Sequence, residues 1–222
     1  MESRAIKDQL YAQVARLGAA LASPKRLELV ELLAQGEKSV EAVARAAGID
    51  VKLASAHLRV LRAAQLVDVR RDGKSRLYRL SGTDVSALWV ALRALAAAHL
   101  AELQLAMQQL LAAPQQLTAE SASSLLDKVR HGDVVLLDVR PRSEFRAAHL
   151  PGARSMPLDE LEARLRELPR DKAIVAYCRG PFCLMSDAAV ELLARHGVRA
   201  SKRVDGVAEW RAAGLPLEGE AV

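Results

Sequence analysis

Apolar and polar positions alternate along this chain in two rhythms. From Ile6 to about Ala112, apolar residues mostly recur every three or four positions, as on the inner face of a helix. Ile6–Leu21 predicts one such helix. Ser23-Pro24 restarts the chain, with Ser suited to an N-cap and Pro to the first helical position. The helix that follows runs to about Ala34, turns Leu27, Val30 and Leu33 inward, and stops at Gly36. Ser39 caps a third helix, Val40 to Ala47. Gly48-Ile49-Asp50 is a tight turn anchored by Ile49, and a fourth helix spans about Lys52 to Ala64 with Leu53, Leu58 and Leu61 inside. Leu66–Arg71 and Arg76–Leu80 then change to strand alternation, and Asp72-Gly73 between them signals a hairpin turn. Thr83 to about Ala112 reads as one long helix, apolar on more than one face, which needs a partner surface.

The second rhythm follows Ala113-Pro114-Gln115-Gln116, a Pro and uncharged polar residues that suit a linker. Thr118 is expected to cap a helix from Ala119 to Arg130, followed by a turn at His131-Gly132-Asp133. Val134–Val139 is a continuous apolar run, the pattern of a parallel strand covered on both faces. Short helices are expected over Glu144–Ala148 and Leu158–Leu168, a strand over Ala173–Tyr177, a helix from about Leu184 to His196 closed by Gly197, a strand over Val198–Val204 and a helix over Val207–Ala213. Strands alternating with helices predict a parallel α/β sheet, in which ligands bind beyond the carboxyl ends of the strands.

Composition changes this picture in three ways. Aromatic residues are only 3% of the chain, so the cores must be built from Leu, Val and Ala. No apolar run approaches membrane-spanning length, and the charged N-terminus lacks the apolar segment of a signal peptide. The expectation is a cytoplasmic protein with no membrane partner, its cysteines reduced at rest. The net charge of +5 is unevenly spread: residues 1–113 hold 16 Lys/Arg against 11 Asp/Glu, and residues 114–222 hold 16 of each. The basic excess therefore lies in the first half and points to nucleic acid there.

Two helices across a short Gly-containing turn form a helix-turn-helix. The second would present Lys52, Ser55, Ala56 and Arg59, of which Lys52 and Arg59 suit phosphates or guanine edges and Ser55 suits either. His57 lies close by, where it either meets a phosphate or packs on the preceding helix. The hairpin carries Arg70, Arg71, Lys74, Arg76 and Arg79 against Asp72 and reads as a wing along the DNA backbone. Residues 1–112 resemble the ArsR/SmtB winged-helix repressors. The residues that carry the likeness are Ser23-Pro24-Lys25-Arg26-Leu27, Ser55-Ala56-His57-Leu58-Arg59-Val60-Leu61, Leu66-Val67 and Asp72-Gly73-Lys74. The resemblance implies a homodimeric operator-binding repressor released by an inducer. It differs from metal-sensing members, which often carry a cysteine pair on the helix before the turn; here Val40–Ala47 has none. Asp84, His99 and Glu102 fall on the last helix, where other members place a metal, but Ser86 stands where a His is expected, and the three read as helix surface. No metal and no cofactor is expected.

Both cysteines lie in Cys178-Arg179-Gly180-Pro181-Phe182-Cys183, between a strand end and a helix N-terminus. Backbone N–H groups and the helix dipole favour an anion there and lower a thiol pKa. Arg179 adds positive charge. Arg140 either faces this pocket or, with Asp138, holds the loop. Cys183 either resolves an oxidised Cys178 into a bridge or is a small apolar residue beside Phe182. Residues 117–218 resemble a single rhodanese domain. The likeness rests on Leu137-Asp138-Val139-Arg140 with Glu144-Phe145, His149-Leu150-Pro151-Gly152-Ala153, Tyr177-Cys178-Arg179-Gly180, and Gly206-Val207-Ala208-Glu209-Trp210 with Gly214-Leu215-Pro216. It implies that Cys178 accepts sulfane sulfur from a donor such as thiosulfate and passes it on. The loop departs from the commonest pattern: Gly180 is one place early, Cys183 is inside, and Leu184 stands where rhodanese-like phosphatases and arsenate reductases have an oxyanion-clamping Arg. His149 with Glu144 is expected to be structural, and Trp210 to be core.

The expected architecture is an α+β winged helix-turn-helix domain over residues 1–112, a linker over 113–117, and an α/β rhodanese-like domain over 118–222, a parallel sheet with helices on both faces. The expected function is a DNA-binding regulator, a dimeric repressor on double-stranded operator DNA, that senses or transfers sulfane sulfur from a small donor through a Cys178 persulfide. Two alternatives stand beside it: a thiosulfate or persulfide sulfurtransferase with an autoregulatory DNA-binding domain, and a metal- or metalloid-responsive repressor with a passenger rhodanese domain.

Overall fold

The computed structural model describes residues 2–110, 117–118 and 120–220. Its contacts gather into two compact units, residues 1–89 and 90–222. The expected linker lies outside the described residues except for Leu117, as do the expected helix end at Ala112 and helix start at Ala119.

In the first unit α1 (Glu2–Leu21), α2 (Pro24–Ala34), α3 (Val40–Ala46) and α4 (Val51–Ala63) precede the hairpin β2 (Val67–Asp72) and β3 (Ser75–Leu80). Local chemistry sets the helix starts. Ser39 Oγ accepts from the Ala42 N–H and begins α3, and Asp50 Oδ1 accepts from the Leu53 N–H at 2.8 Å and begins α4. Ser23 occupies the cap position of α2 without a side-chain bond. Leu29, Val30, Leu33, Val43, Ala54, Leu58 and Leu61 form the core. Leu53, expected inside, is 41% exposed because Ala54 takes the inward position of that turn; Leu27 is only half-buried. The strand β1 (Lys38–Ser39) pairs with β3 and makes a three-stranded sheet in the order β1-β3-β2, which the alternation does not reveal. Asp72 pairs with Ser75, so the turn is Gly73-Lys74, one residue later than expected. Gly73 adopts φ +59°, as the first central residue of a two-residue hairpin turn requires.

The expected single helix after the hairpin is two: α5 (Thr83–His99) and α6 (Ala101–Leu110), bent by 99° at Leu100. No Gly or Pro marks the break. Instead Gln104 Nε2 donates to the carbonyls of Ala97 and Ala98 at 2.9 and 3.2 Å, satisfying the acceptors that the end of α5 exposes. Among the described residues no single helix is long and apolar enough to cross a membrane.

The second unit holds a four-stranded parallel sheet in the order β5-β4-β6-β7, formed by β4 (Val134–Asp138), β5 (Arg154–Ser155), β6 (Ala173–Tyr177) and β7 (Ala200–Lys202). Its helices are α7 (Ala122–His131), α8 (Arg142–Ala147), α9 (Leu158–Leu161), α10 (Met185–Arg195) and α11 (Val207–Ala212). Strand period sorts the core. Val135, Leu137 and Val139 with Ile174, Ala176 and Cys178 face α9 and α10, while Val134, Leu136, Val175 and Tyr177 face Leu125 of α7 and Trp210 of α11. Each fully buried Leu or Val contributes about 1.5–3 kcal/mol.

Three expectations shift here. Ser121, not Thr118, caps α7, accepting from the Ser124 N–H at 3.2 Å; Thr118 is tied instead by its N–H to the Lys202 carbonyl at 2.9 Å. The expected helix over Leu158–Leu168 is the single turn α9 followed by a 3-10 turn at Leu165–Glu167. The last strand is three residues long, Ala200–Lys202.

Candidate functional site

β6 ends at Tyr177, and the next residue, Cys178, is 2% exposed. The alternation that buries Ile174 and Ala176 on one face puts Cys178 on the same face, under the first turn of α10. The loop then turns tightly: Gly180 takes φ +143°, and its carbonyl accepts from the Cys183 N–H at 3.0 Å. As a thiol, Cys178 donates to the Cys183 carbonyl at 3.3 Å, and its sulfur lies 3.2 Å from the Ser186 hydroxyl.

This setting lowers the Cys178 pKa from 9.0 to about 6. The largest cause is a hydrogen bond from the Cys183 thiol, which stabilises the thiolate; burial opposes it; the Ser186 hydroxyl and the backbone N–H groups of Ser186 and Gly180 assist. Cys183 shifts the other way, far above its usual range, because its thiol is held by the Cys178 sulfur and is itself largely buried. The two shifts are opposite in direction, so the arrangement favours the thiolate on Cys178 and the thiol on Cys183. An anionic sulfur thus rests on a hydroxyl, a thiol and N–H donors at the start of an eleven-residue helix.

The charged residues beside the loop are paired with carboxylates. Arg179 donates to both carboxylate oxygens of buried Glu144, at 2.8–3.2 Å, so its charge is matched by that carboxylate. Arg140 is fully buried; it donates to Asp138 and to the Ala148 carbonyl at 2.7 Å. Of the two readings of Arg140, the loop-holding one matches these bonds. The Tyr177 hydroxyl joins them, donating to Asp138 at 2.6 Å and accepting from the Leu150 N–H at 3.1 Å. His149 stacks on Phe145 with centroids 3.7 Å apart and contacts Glu218 rather than Glu144. Trp210 is buried core. Leu184, at the clamp position of the phosphatases, is 55% exposed. Sequence reasoning does not reach Ser186; its position in the first turn after the loop is the only signal for it.

In the first unit Lys52, Arg59, Arg71, Lys74 and Arg76 are exposed, and Ser55, Ala56 and His57 are half-buried on α4. Arg71 and Arg76 are directly paired across the hairpin, which concentrates charge on the wing. Arg70 differs: its guanidinium is bidentate on Glu37 at 2.6–2.9 Å. Among the described residues no cluster of three metal-ligating side chains occurs.

Two family models match the chain: the bacterial regulatory protein, arsR family, over residues 23–69, and the rhodanese-like domain over residues 121–213. The HTH-type transcriptional regulator Rv0324 of Mycobacterium tuberculosis is 45% identical over 96% of this chain and 93% of its own length. A sulfurtransferase of Allochromatium vinosum is 28% identical over 46% of this chain and 92% of its own. Among solved structures, the homodimeric winged helix-turn-helix DNA-binding domain (fragment 1–100) of Mb0332 from Mycobacterium bovis shares 45% identity. The match covers 43% of this chain and 89% of the fragment, with a TM-score of 0.41.

Proposed function

The chain belongs to the ArsR family of transcriptional regulators, with a rhodanese-like domain following the DNA-binding one, and from that premise we propose that it is a cytoplasmic, dimeric repressor whose operator binding is set by sulfane sulfur on Cys178. The observation that carries the reading is the Cys178–Cys183 pair: the chain has two cysteines, both in one loop, with the Cys178 sulfur 3.3 Å from the Cys183 carbonyl and 3.2 Å from the Ser186 hydroxyl, and none in the DNA-binding half.

The persulfide donor is itself the two-electron oxidant, and no other is needed. The Cys178 thiolate attacks the terminal sulfur of a small-molecule persulfide. The donor's sulfur–sulfur bond breaks, the donor leaves as a thiolate with the bond's electrons, and Cys178 is left carrying the terminal sulfur and its proton as a persulfide. Cys183 then gives its proton to the outer sulfur as its own sulfur attacks the inner one. A Cys178–Cys183 disulfide forms, and the outer sulfur leaves as hydrogen sulfide, taking its own proton and the one from Cys183. Ser186 and the α10 N–H groups cradle the anion at each stage. The depth of Cys178 favours stoichiometric capture over rapid turnover.

Dimer formation is supported by the exposed apolar face of α1, where Ile6, Leu10, Tyr11, Val14 and Leu17 recur at helical spacing and Val14 is 68% exposed. Leu88, Leu92 and Leu95 of α5 are exposed as well. Such faces on one chain call for burial by a second copy. DNA contact is assigned to Lys52, Ser55, Ala56, His57 and Arg59 on α4 and to Arg71, Lys74 and Arg76 on the wing; Arg70 is assigned to Glu37.

A gel shift with the operator tests the reading. Wild type treated with polysulfide should change its affinity, and the Cys178→Ser protein should not. A Cys178→Ser protein that responds like wild type would sink the proposal. Turnover in a cyanide-dependent thiosulfate assay at the rate of a dedicated sulfurtransferase would favour the enzyme alternative.

A further inference from the structure

One buried cation in the second unit has no part in this chemistry, yet it touches the loop that performs it. Arg93, on α5, is 6% exposed. Its guanidinium forms an ion pair with Glu209 of α11 and lies 5.4 Å from the centre of the Phe182 ring. Phe182 adjoins Cys183. Gly180 closes the arrangement: a Cβ there would fall 3.0 Å from Glu209 Oε2 and 3.4 Å from Arg93 Nη1. Glu209 also accepts from the Gly206 N–H at 2.7 Å, and Gly206 packs against the carbonyl of Cys178 and the backbone of Arg179. Gly206 has no side chain to return the bond; its carbonyl accepts from the Trp210 N–H at 3.1 Å.

Arg93 therefore meets the sulfur loop twice, at the Phe182 ring and, through Glu209, against Gly180. The loop cannot keep its shape when Cys178 is modified. A persulfide adds a sulfur atom where the thiol now meets the Cys183 carbonyl and the Ser186 hydroxyl, and a bridge to Cys183 draws in the residue after Phe182. Either change shifts the ring on which the guanidinium rests. Val85 and Trp89 lie two turns and one turn earlier on the same helix and are themselves buried.

We infer that Arg93 is a coupling residue: through Phe182 and Glu209 it registers the state of the Cys178 loop on helix α5. This deepens the sulfur-response reading and rests on it. Arg93 touches no reacting atom and acts by position. A cation held against a ring and a carboxylate in a buried site has few alternative places, so displacement of the ring biases the helix that holds the cation.

The test uses the whole chain, with both units, and polysulfide as donor. Two quantities are read on wild type, Arg93→Ala, Arg93→Lys and Phe182→Leu: the rate of Cys178 persulfidation by intact mass, and operator affinity before and after treatment. Wild type should change affinity by about fivefold or more, within the usual range of allosteric coupling. Arg93→Ala should persulfidate at close to the wild-type rate while its change in affinity falls below about twofold. Phe182→Leu, which keeps an apolar side chain but removes the ring, should do the same, with Arg93→Lys intermediate. A merely structural role would lower untreated operator binding and persulfidation together. Arg93→Ala and Phe182→Leu proteins that keep the full response overturn the coupling and leave sulfur sensing intact. A wild type that is persulfidated without any change in affinity overturns both.

Discussion

The two units are comparably rich in Lys and Arg and use them in opposite ways. On the wing, Arg71, Lys74 and Arg76 stand in solvent. In the second unit Arg140, Arg179 and Arg93 are buried or nearly so, each against a carboxylate. An exposed charge is a contact kept open for a ligand, and its removal costs the fold little. A buried pair is a constraint on the backbone, and losing one member strands the other. The same residue type therefore predicts binding in one unit and geometry in the other.

The largest effect should come from Arg140→Met, which strands Asp138 at full burial. The second unit should lose about 3–5 kcal/mol, read by denaturant unfolding. A loss under about 1 kcal/mol would mean that Asp138 finds another partner, and the buried frame would not be the constraint described. The pH dependence comes next. Between about pH 6 and 9 the folded chain has released the Cys178 proton while the unfolded chain holds it, so the unfolded state binds more protons and stability rises with pH. That contribution is fully present above pH 9 and is lost as pH falls through about 6. Iodoacetamide alkylation of Cys178 should reach half its maximum rate near pH 6, and Cys183→Ala should move the midpoint upward by a unit or more, about 1.4 kcal/mol per unit. An unchanged midpoint would remove Cys183 from the site.

Smaller effects belong to the wing. Arg71→Ala and Arg76→Ala should each leave unfolding within about 0.5 kcal/mol of wild type while lowering the salt slope of operator binding by about one. The least effect should come from Glu37→Gln, which removes the charge opposite Arg70. Releasing that guanidinium should tighten operator binding at low salt by a small factor, read by fluorescence anisotropy. Weaker binding would show that the Glu37–Arg70 pair instead holds the wing in its reading position.

Much of this molecule was legible in its residue pattern. The helix-turn-helix, the hairpin, β4, β6 and α10 announce themselves by period and by their capping residues. What escaped has a common cause: it is decided by distant partners. β1 is two residues long and exists because Tyr78 and Leu77 of β3 lie opposite. The break at Leu100 rests on one glutamine reaching back to two carbonyls. At the site, the loop and its two cysteines are evident in the residue pattern, but the partners of the arginines are not. Arg179 follows Cys178 in sequence, but its partner Glu144 lies 35 residues away and only the fold brings the two together. Ser186 and Arg93 gave no local signal, because their importance comes from what the fold brings to them.

Gly206 carries a consequence for how such a site is made or moved. A Cβ at this position would sit 2.6 Å from the Cys178 carbonyl oxygen and 2.7 Å from Arg179 backbone atoms. No side chain fits without displacing the loop. The thiol's surroundings are thus a joint product of two segments that meet only after the sheet is complete. Transplanting Cys178–Ser186 onto another parallel sheet would carry over the sequence of the cradle and leave one of its walls behind.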